Sequence, residues 1–232
     1  MNIKPTARLP LVRSYDQFCS LAKTLDVIGE RWTMLVLREL MLRGPSRYTD
    51  LRDGLPGIAT NLLADRLRDL EQAGLVEREE APPPIATTLY RLTTRGEELR
   101  PAIVELARWG MAFMPEAPED DSFRGHWLVF PVELYLADQA PDQPPVTVQV
   151  QAGDEPMVIE TVDGRLRTRR GRVEHPDLLL SGMPKLVLGV VTGMLAFDAA
   201  VGRGLHYEGD PATLKRLQPP SVRLKASAGP RL

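Results

Sequence analysis

Leu63, Leu67 and Leu70 recur at helix spacing, and the run stops at Gly74. From Leu75 to Glu80 the period drops to two, and Thr88 to Leu92 reads as the partner strand. Between them lies the loop from Ala81 to Thr87, where Pro82, Pro83 and Pro84 enforce extended backbone. The helical period resumes at Thr94. A helix that runs into a two-stranded hairpin and then into another helix cannot bury its apolar stripe alone. It needs helical partners upstream.

Those partners are present. Leu21, Leu25 and Ile28 share a stripe within Asp16 to Gly29, and Trp32, Leu35, Val36 and Leu40 share one within Arg31 to Leu42. Gly44-Pro45 ends the second helix. Ser46 is placed to cap a short helix carrying Tyr48, Leu51 and Leu55, and Pro56-Gly57 makes a tight turn. Thr60 is placed to cap the helix of the three leucines. Thr94 and Glu97 have capping-box spacing, with Leu99, Ile103, Leu106 and Phe113 as the expected buried stripe. Pro101 is expected to kink that helix or to detach its first turn. The order is helix, helix, short helix, turn, helix, hairpin, helix. It describes a helix-turn-helix with a wing behind it.

The segment from Pro115 to Asp121 is rich in proline and acid and reads as a linker. The expected organisation is a first domain over 1–114, a linker over 115–121 and a second domain over 122–232. One cysteine in 232 residues excludes an intramolecular disulfide framework. The apolar runs fall well short of the ~20 residues of a membrane span, and the start of the chain has no signal-peptide run. A soluble, cytoplasmic protein is expected. The formal net charge of -2 on its own argues against a nucleic-acid partner. Residues 1–118 balance 16 Lys+Arg against 16 Asp+Glu, so any such contact has to come from a local face.

The second half reads as α+β. Ser122 is placed to cap a helix with Phe123, Trp127 and Leu134, disturbed at Pro131. Strands are expected at Val146 to Val150, Met157 to Val162, Arg165 to Arg169, Asp177 to Ser181 and Leu205 to Glu208. Asp163-Gly164 is a hairpin turn. Helices are expected from Pro184 to Val191, from Met194 to Val201 and from Asp210 to Leu217. Arg165, Arg167, Arg169, Arg170 and Arg172 alternate across the hairpin and its exit. They read as a solvated, aggregation-guarded edge, or as a contact for an anion.

The runs Cys19 to Leu40, Arg47-Tyr-Thr-Asp-Leu51, Leu55-Pro-Gly-Ile58, Leu63 to Val76 and Tyr90-Arg-Leu-Thr93 resemble the HxlR-type winged helix-turn-helix transcriptional regulators of bacteria. The resemblance runs from about Ser14 to Met114. It departs in the wing, where Ile85 follows Pro84 and many family members place an arginine. It implies a sequence-specific DNA-binding regulator that acts as a homodimer on a palindromic operator. In such a module the helix from Thr60 enters the major groove. Its outward face carries Asn61, Ala64, Asp65 and Arg68, with Arg66 at the flank. Asn61 suits adenine, and Arg68 or Arg66 suits guanine or phosphate. Thr60 suits a phosphate at the helix N-terminus. Arg47 and Tyr48 suit the DNA backbone, and Arg78 and Arg91 on the wing suit the flanking groove. Asp65 would orient an arginine. Each residue can equally be a solvated surface group. The resemblance also assigns the dimer to the first and last helices, with Tyr15, Phe18, Leu21, Trp109, Met111, Ala112 and Phe113 as candidates.

Asp177 to Pro184, Thr192 to Ala196 and Tyr207 to Leu214 resemble, more loosely, the sterol carrier protein type 2-like fold. That likeness implies a cavity for an apolar or lipid-like effector, lined by Leu186, Val187, Val190, Val191, Met194, Leu195 and Phe197. The same residues can be solid core. Cys19 stands where some HxlR-type regulators carry a redox-sensing cysteine. The plainer reading is a small buried apolar residue. His126, His175 and His206 lack metal-ligand spacing, and no nucleophile elbow or phosphate-binding glycine loop is present. No metal, cofactor or enzymatic activity is expected. The competing reading is a lipid-binding or transfer protein whose winged helix is a protein-interaction module.

Overall fold

Helices α1 (Ser20–Ile28), α2 (Thr33–Arg43), α3 (Tyr48–Asp53) and α4 (Thr60–Gln72) lead into the hairpin of β1 (Val76–Glu80) and β2 (Thr88–Leu92). Helices α5 (Thr94–Glu97) and α6 (Arg100–Gly110) follow. The computed structural model describes residues 14–81, 87–118, 120–153 and 155–218. The chain separates into two compact units, Met1–Gly110 and Met111–Leu232.

In the first unit the leucine stripe of α4 is buried at Leu63, Leu67 and Leu70, together with Val36, Leu37 and Leu40 of α2 and Leu51 of α3. Gly74 ends α4 at φ +68, with its N–H on the Glu71 carbonyl and the Leu75 N–H on that of Leu70. This is a Schellman stop, and its left-handed residue is why glycine stands there. The caps fall one residue away from the expected ones. Ser46 does not cap α3; it forms a β-bridge with Tyr90, which pins the approach to α3 onto the wing. Asp50 instead accepts the Arg47 N–H at 3.0 Å. Thr60 is the first residue of α4 and follows the Ala59 cap. Thr93, not Thr94, caps α5: its Oγ1 accepts the Gly96 N–H at 3.1 Å and donates to the Gly74 carbonyl at 2.7 Å. The break between α5 and α6 lies just before Pro101, where a proline interrupts helical hydrogen bonding. Ile103 is buried, while Leu106 and Phe113 of the expected stripe are exposed. The wing tip, including Ile85, lies outside the described residues.

The first unit also buries a charge that hydrophobic spacing does not reveal. Glu39 is fully buried in α2 and accepts hydrogen bonds from Arg38 at 2.8 and 3.1 Å and from Arg43 at 2.9 Å. Burial pushes the Arg38 guanidinium below its ordinary range, and the Glu39 carboxylate opposes this. Gly54, at the C-cap of α3, lies against this carboxylate, and a Cβ there would run into it. The ionic cluster therefore sets how closely α3 approaches α2.

The second unit begins with a 3-10 helix, Met111–Glu116, which takes in the first residues of the expected linker. A 3-10 turn, Gly125–Leu128, leads into α7 (Val129–Tyr135). Ser122 and Phe123 precede any helix, so the expected Ser122 cap is absent. Strands β3 (Thr147–Gln151), β4 (Met157–Val162), β5 (Arg165–Arg170) and β6 (Leu178–Ser181) follow. Then come α8 (Pro184–Val191), α9 (Phe197–Val201), β7 (His206–Gly209) and α10 (Ala212–Leu217). The sheet order is β5-β4-β3-β6-β7, and only the β3–β6 pair is parallel. Asp163 and Gly164 have φ of +51 and +70, the pair of positive values a type I′ hairpin turn demands. Val148, Val150, Met157, Ile159, Leu178 and Leu180 point to one face of the sheet, where α7, α8 and α10 cover them. The fold class is thus mixed α+β. The helix expected from Met194 starts only at Phe197, because Gly193 ends α8 at φ +74 and the Leu195 N–H turns back to the Gly189 carbonyl. Arg216 closes the unit with a two-pronged ion pair to the buried side chain of half-buried Asp138, both contacts at 2.8 Å. That hydrogen bonding holds the Asp138 carboxyl below the usual carboxylate range.

Candidate nucleic-acid interface

Helix α4 shows two faces. The leucines face the core, while Thr60, Asn61 and Arg68 are exposed and Ala64 and Asp65 are half-buried beside them. Tyr48 donates its hydroxyl to the Thr60 carbonyl, which ties the start of α3 to the first turn of α4. The neighbouring Arg47 is exposed. The angle between the two helices is therefore fixed by a side chain that itself lies in the proposed contact surface.

The arginines differ in availability. Arg66 folds back against the unit, with only 17% of its side chain exposed, and sits 2.9 Å from Asp69. Its second carboxylate neighbour is Glu30 at 3.9 Å. Arg68 stays outward and is held by Asp65 at 2.9 Å, the orienting role expected of that aspartate. On the wing, Arg78 lies over the Tyr90 ring and pairs with Glu71, which shifts the guanidinium further toward its charged form. Arg91 is shared between Glu77 at 2.8 Å and Glu79 at 3.1 Å. Each of these cations carries a carboxylate partner.

Residues 27–118 match the family model described as HxlR-like helix-turn-helix. The HTH-type transcriptional regulators YkvN and YdzF of Bacillus subtilis are similar to this chain. YkvN is 40% identical, with 40% of this chain and 77% of that protein covered. YdzF is 37% identical, with 38% of this chain and 82% of that protein covered. The chain belongs to the HxlR-like family. The structure of the reduced transcriptional regulator YodB from B. subtilis aligns at 30% identity and a TM-score of 0.38, over 44% of this chain and all of that one.

Large apolar side chains stand at the surface in and around the HxlR-like part of the chain. Tyr15, Phe18, Leu21 and Leu25 in and before α1 are exposed, as are Leu106 and Trp109 of α6. Phe113 and Ala112 in the second unit are exposed too, whereas Met111 is buried and drops out as a contact candidate. The segment leading into α1 is anchored by Asp26, which accepts the Tyr15 N–H at 2.8 Å and the Ser14 hydroxyl at 3.1 Å. The Tyr15 amide first, with Lys23 and Ser14, holds the Asp26 carboxyl below its ordinary range. This anchor is a residue that spacing alone did not single out. Cys19, just ahead of α1, is exposed, which overturns the reading of it as a buried apolar residue. Lys23 engages Asp26 at 3.1 Å.

In the second unit the expected lining residues Leu186, Val187, Val190 and Val191 belong to the hydrophobic core, and Leu195 and Phe197 pack against it. Met194 is half-buried. Met183, Val201 and Tyr207 are exposed, and the Phe197 and Tyr207 rings meet edge-on at 5.0 Å. Among the described residues no cluster of His, Cys, Asp and Glu is arranged to hold a metal ion. No helix among them is long and apolar enough to cross a membrane.

Proposed function

We propose that this chain is a sequence-specific DNA-binding transcriptional regulator that works as a homodimer on a palindromic operator. The carrying observation is α4, which buries Leu63, Leu67 and Leu70 and keeps Asn61 and Arg68 outward. A helix so held can lie in the major groove, where Asn61 meets adenine N6/N7 and Arg68 meets guanine O6/N7. Thr60, Arg47 and Tyr48 then face the phosphates, Ala64 and Asp65 line the approach, and Arg78 and Arg91 reach outward along the wing. Arg66 joins them only after leaving Asp69. The regulators YkvN and YdzF support the same reading. Dimerisation rests on the exposed apolar side chains of α1 and α6, which a lone unit would leave in water at a cost of roughly 25 cal/mol per Å².

We further read the second unit as a sterol-carrier-like sensor. An apolar effector enters beside Met194, Leu195 and Phe197, next to the exposed Met183, Val201 and Tyr207, and displaces the packing of Leu186, Val187, Val190 and Val191. It changes operator affinity by as much as it prefers one dimer geometry over the other.

Selection of bound DNA from a random pool, followed by titration of the winner against a scrambled duplex, tests the main reading. A palindromic winner, with selectivity lost in Asn61→Ala and Arg68→Ala, is expected; each good base contact contributes about 1–3 kcal/mol of discrimination. A protein that binds scrambled and selected duplexes alike contradicts it. Mass spectrometry of molecules released from the native protein tests the sensor.

A further inference from the structure

Strand β5 lies at the edge of the second unit's sheet and pairs only with β4. Its residues Arg165, Arg167 and Arg169 alternate onto one face, opposite Val162, Glu160 and Val158, and all three are exposed. Arg170 ends the strand, and Arg172 follows Gly171, whose φ is +109. From Arg165 to Val173 the sequence contains no acidic residue. Arg169 is paired with Glu160 at 3.2 Å and Arg170 with Glu155 at 3.4 Å. Among the described residues no ion pair engages Arg165, Arg167 or Arg172.

Four arginines of the first unit differ in this respect: Arg66, Arg68, Arg78 and Arg91 all rest on carboxylates. Charged side chains, lysine above all, commonly guard an exposed sheet edge against aggregation. Here every outward position of the strand is an arginine, and Arg presents the forked donors that fit phosphate oxygens. A cationic surface of this kind fits a polyanion.

We propose that the β5 edge, through Arg165, Arg167 and Arg172, is a second DNA-binding surface, one that neutralises duplex phosphates. The inference rests on the regulator reading above and adds to it a source of sequence-independent attraction. The first unit supplies the base contacts of α4 and the phosphate contacts of Thr60, Arg47 and Tyr48; the β5 edge adds further counterion-releasing contacts that draw the protein onto DNA of any sequence.

The test uses the full chain, the operator recovered by selection, and the variant Arg165→Gln/Arg167→Gln/Arg172→Gln. Affinity is measured against salt for operator and scrambled duplex. The variant's slope of log affinity against log salt is expected to be shallower by about 2–3, since each neutralised phosphate contributes about 0.9. Affinity falls by the same factor on both duplexes, as phosphate contacts carry no sequence information. Lysine at the three positions restores the slope. An unchanged slope in a variant that still selects the operator overturns the inference and leaves the regulator reading standing. So does loss of binding to phosphatidylserine vesicles with DNA binding intact, which assigns the edge to a membrane. A wild-type protein that does not distinguish operator from scrambled DNA fails one step earlier, and the regulator reading falls with it.

Discussion

Helices α1 and α4 carry the same apolar spacing and use it differently. Leu63, Leu67 and Leu70 of α4 are all buried. Leu21 and Leu25 of α1 stand at the same i and i+4 positions and are 64% and 40% exposed, and only Ile28 goes in. Ala22 and Ile28 are the only buried residues of α1: Ile28 ends the stripe that begins at Leu21, and Ala22 lies about 100° round the helix from it. The stripe on α4 is closed within the chain by α2, α3 and β1. The stripe on α1 is left uncovered at Leu21 and Leu25, which is what the proposed dimer would close. Periodicity establishes that a helix has an apolar face, but not whose atoms cover it.

The largest effect that separates the two helices is on stability. Leu67→Ala is expected to destabilise the first unit by about 2–5 kcal/mol, because it leaves a cavity in packed surroundings. Leu21→Ala, tested at a concentration where the protein is monomeric, is expected to stay within about 0.5 kcal/mol. Denaturant unfolding measures both, and equal losses would mean that the α1 stripe packs internally after all. Next comes association. Phe18→Ala with Leu21→Ala is expected to weaken the dimer by about 2 kcal/mol or more, some thirtyfold, if these are central contacts. Sedimentation at graded concentration reads that constant, and a dimer untouched by the pair would move the interface elsewhere.

The smallest effect is the pH dependence of the lead-in to α1. The folded Asp26 carboxyl lies below its ordinary value, held first by the Tyr15 amide. Its contribution is therefore complete above about pH 4, where the free carboxyl ionises, and disappears as pH falls through the lower folded value. Dimer affinity is expected to fall with acid in that window, and Asp26→Asn should flatten the profile. A profile with the same acid limb in the variant would assign the limb to another carboxylate.

Most of the framework was legible from residue spacing. The bounds of β2, β4 and α8 coincide with those read from the sequence, and Asp163-Gly164 adopts the turn its residue types demand. The misreadings have a common physical origin in contacts between residues distant in sequence. Ser46 is taken from its capping role by Tyr90, and Thr93 caps because its hydroxyl also reaches Gly74. The site was legible as a face, since the three leucines of α4 leave Asn61 and Arg68 no direction but outward. Which arginines are held was not legible. Arg78 meets Glu71 and Arg66 meets Glu30 only after the chain has folded. The buried Glu39 was invisible for the same reason: an acid on a helix reads as surface until Arg38, Arg43 and Gly54 close over it.

That cluster links two positions in what substitutions they can accept. An alanine at 54 meets the Glu39 carboxylate, which then has to shift, and removing that carboxylate takes an ion-pair partner from both Arg38 and Arg43, so each change alone disturbs the cluster. Along any lineage descending from this chain, position 54 should stay glycine for as long as position 39 stays glutamate. An escape requires both to change within a short interval, together with Arg38 or Arg43. Co-variation of that quartet would be the historical trace of one carboxylate pressed against a backbone.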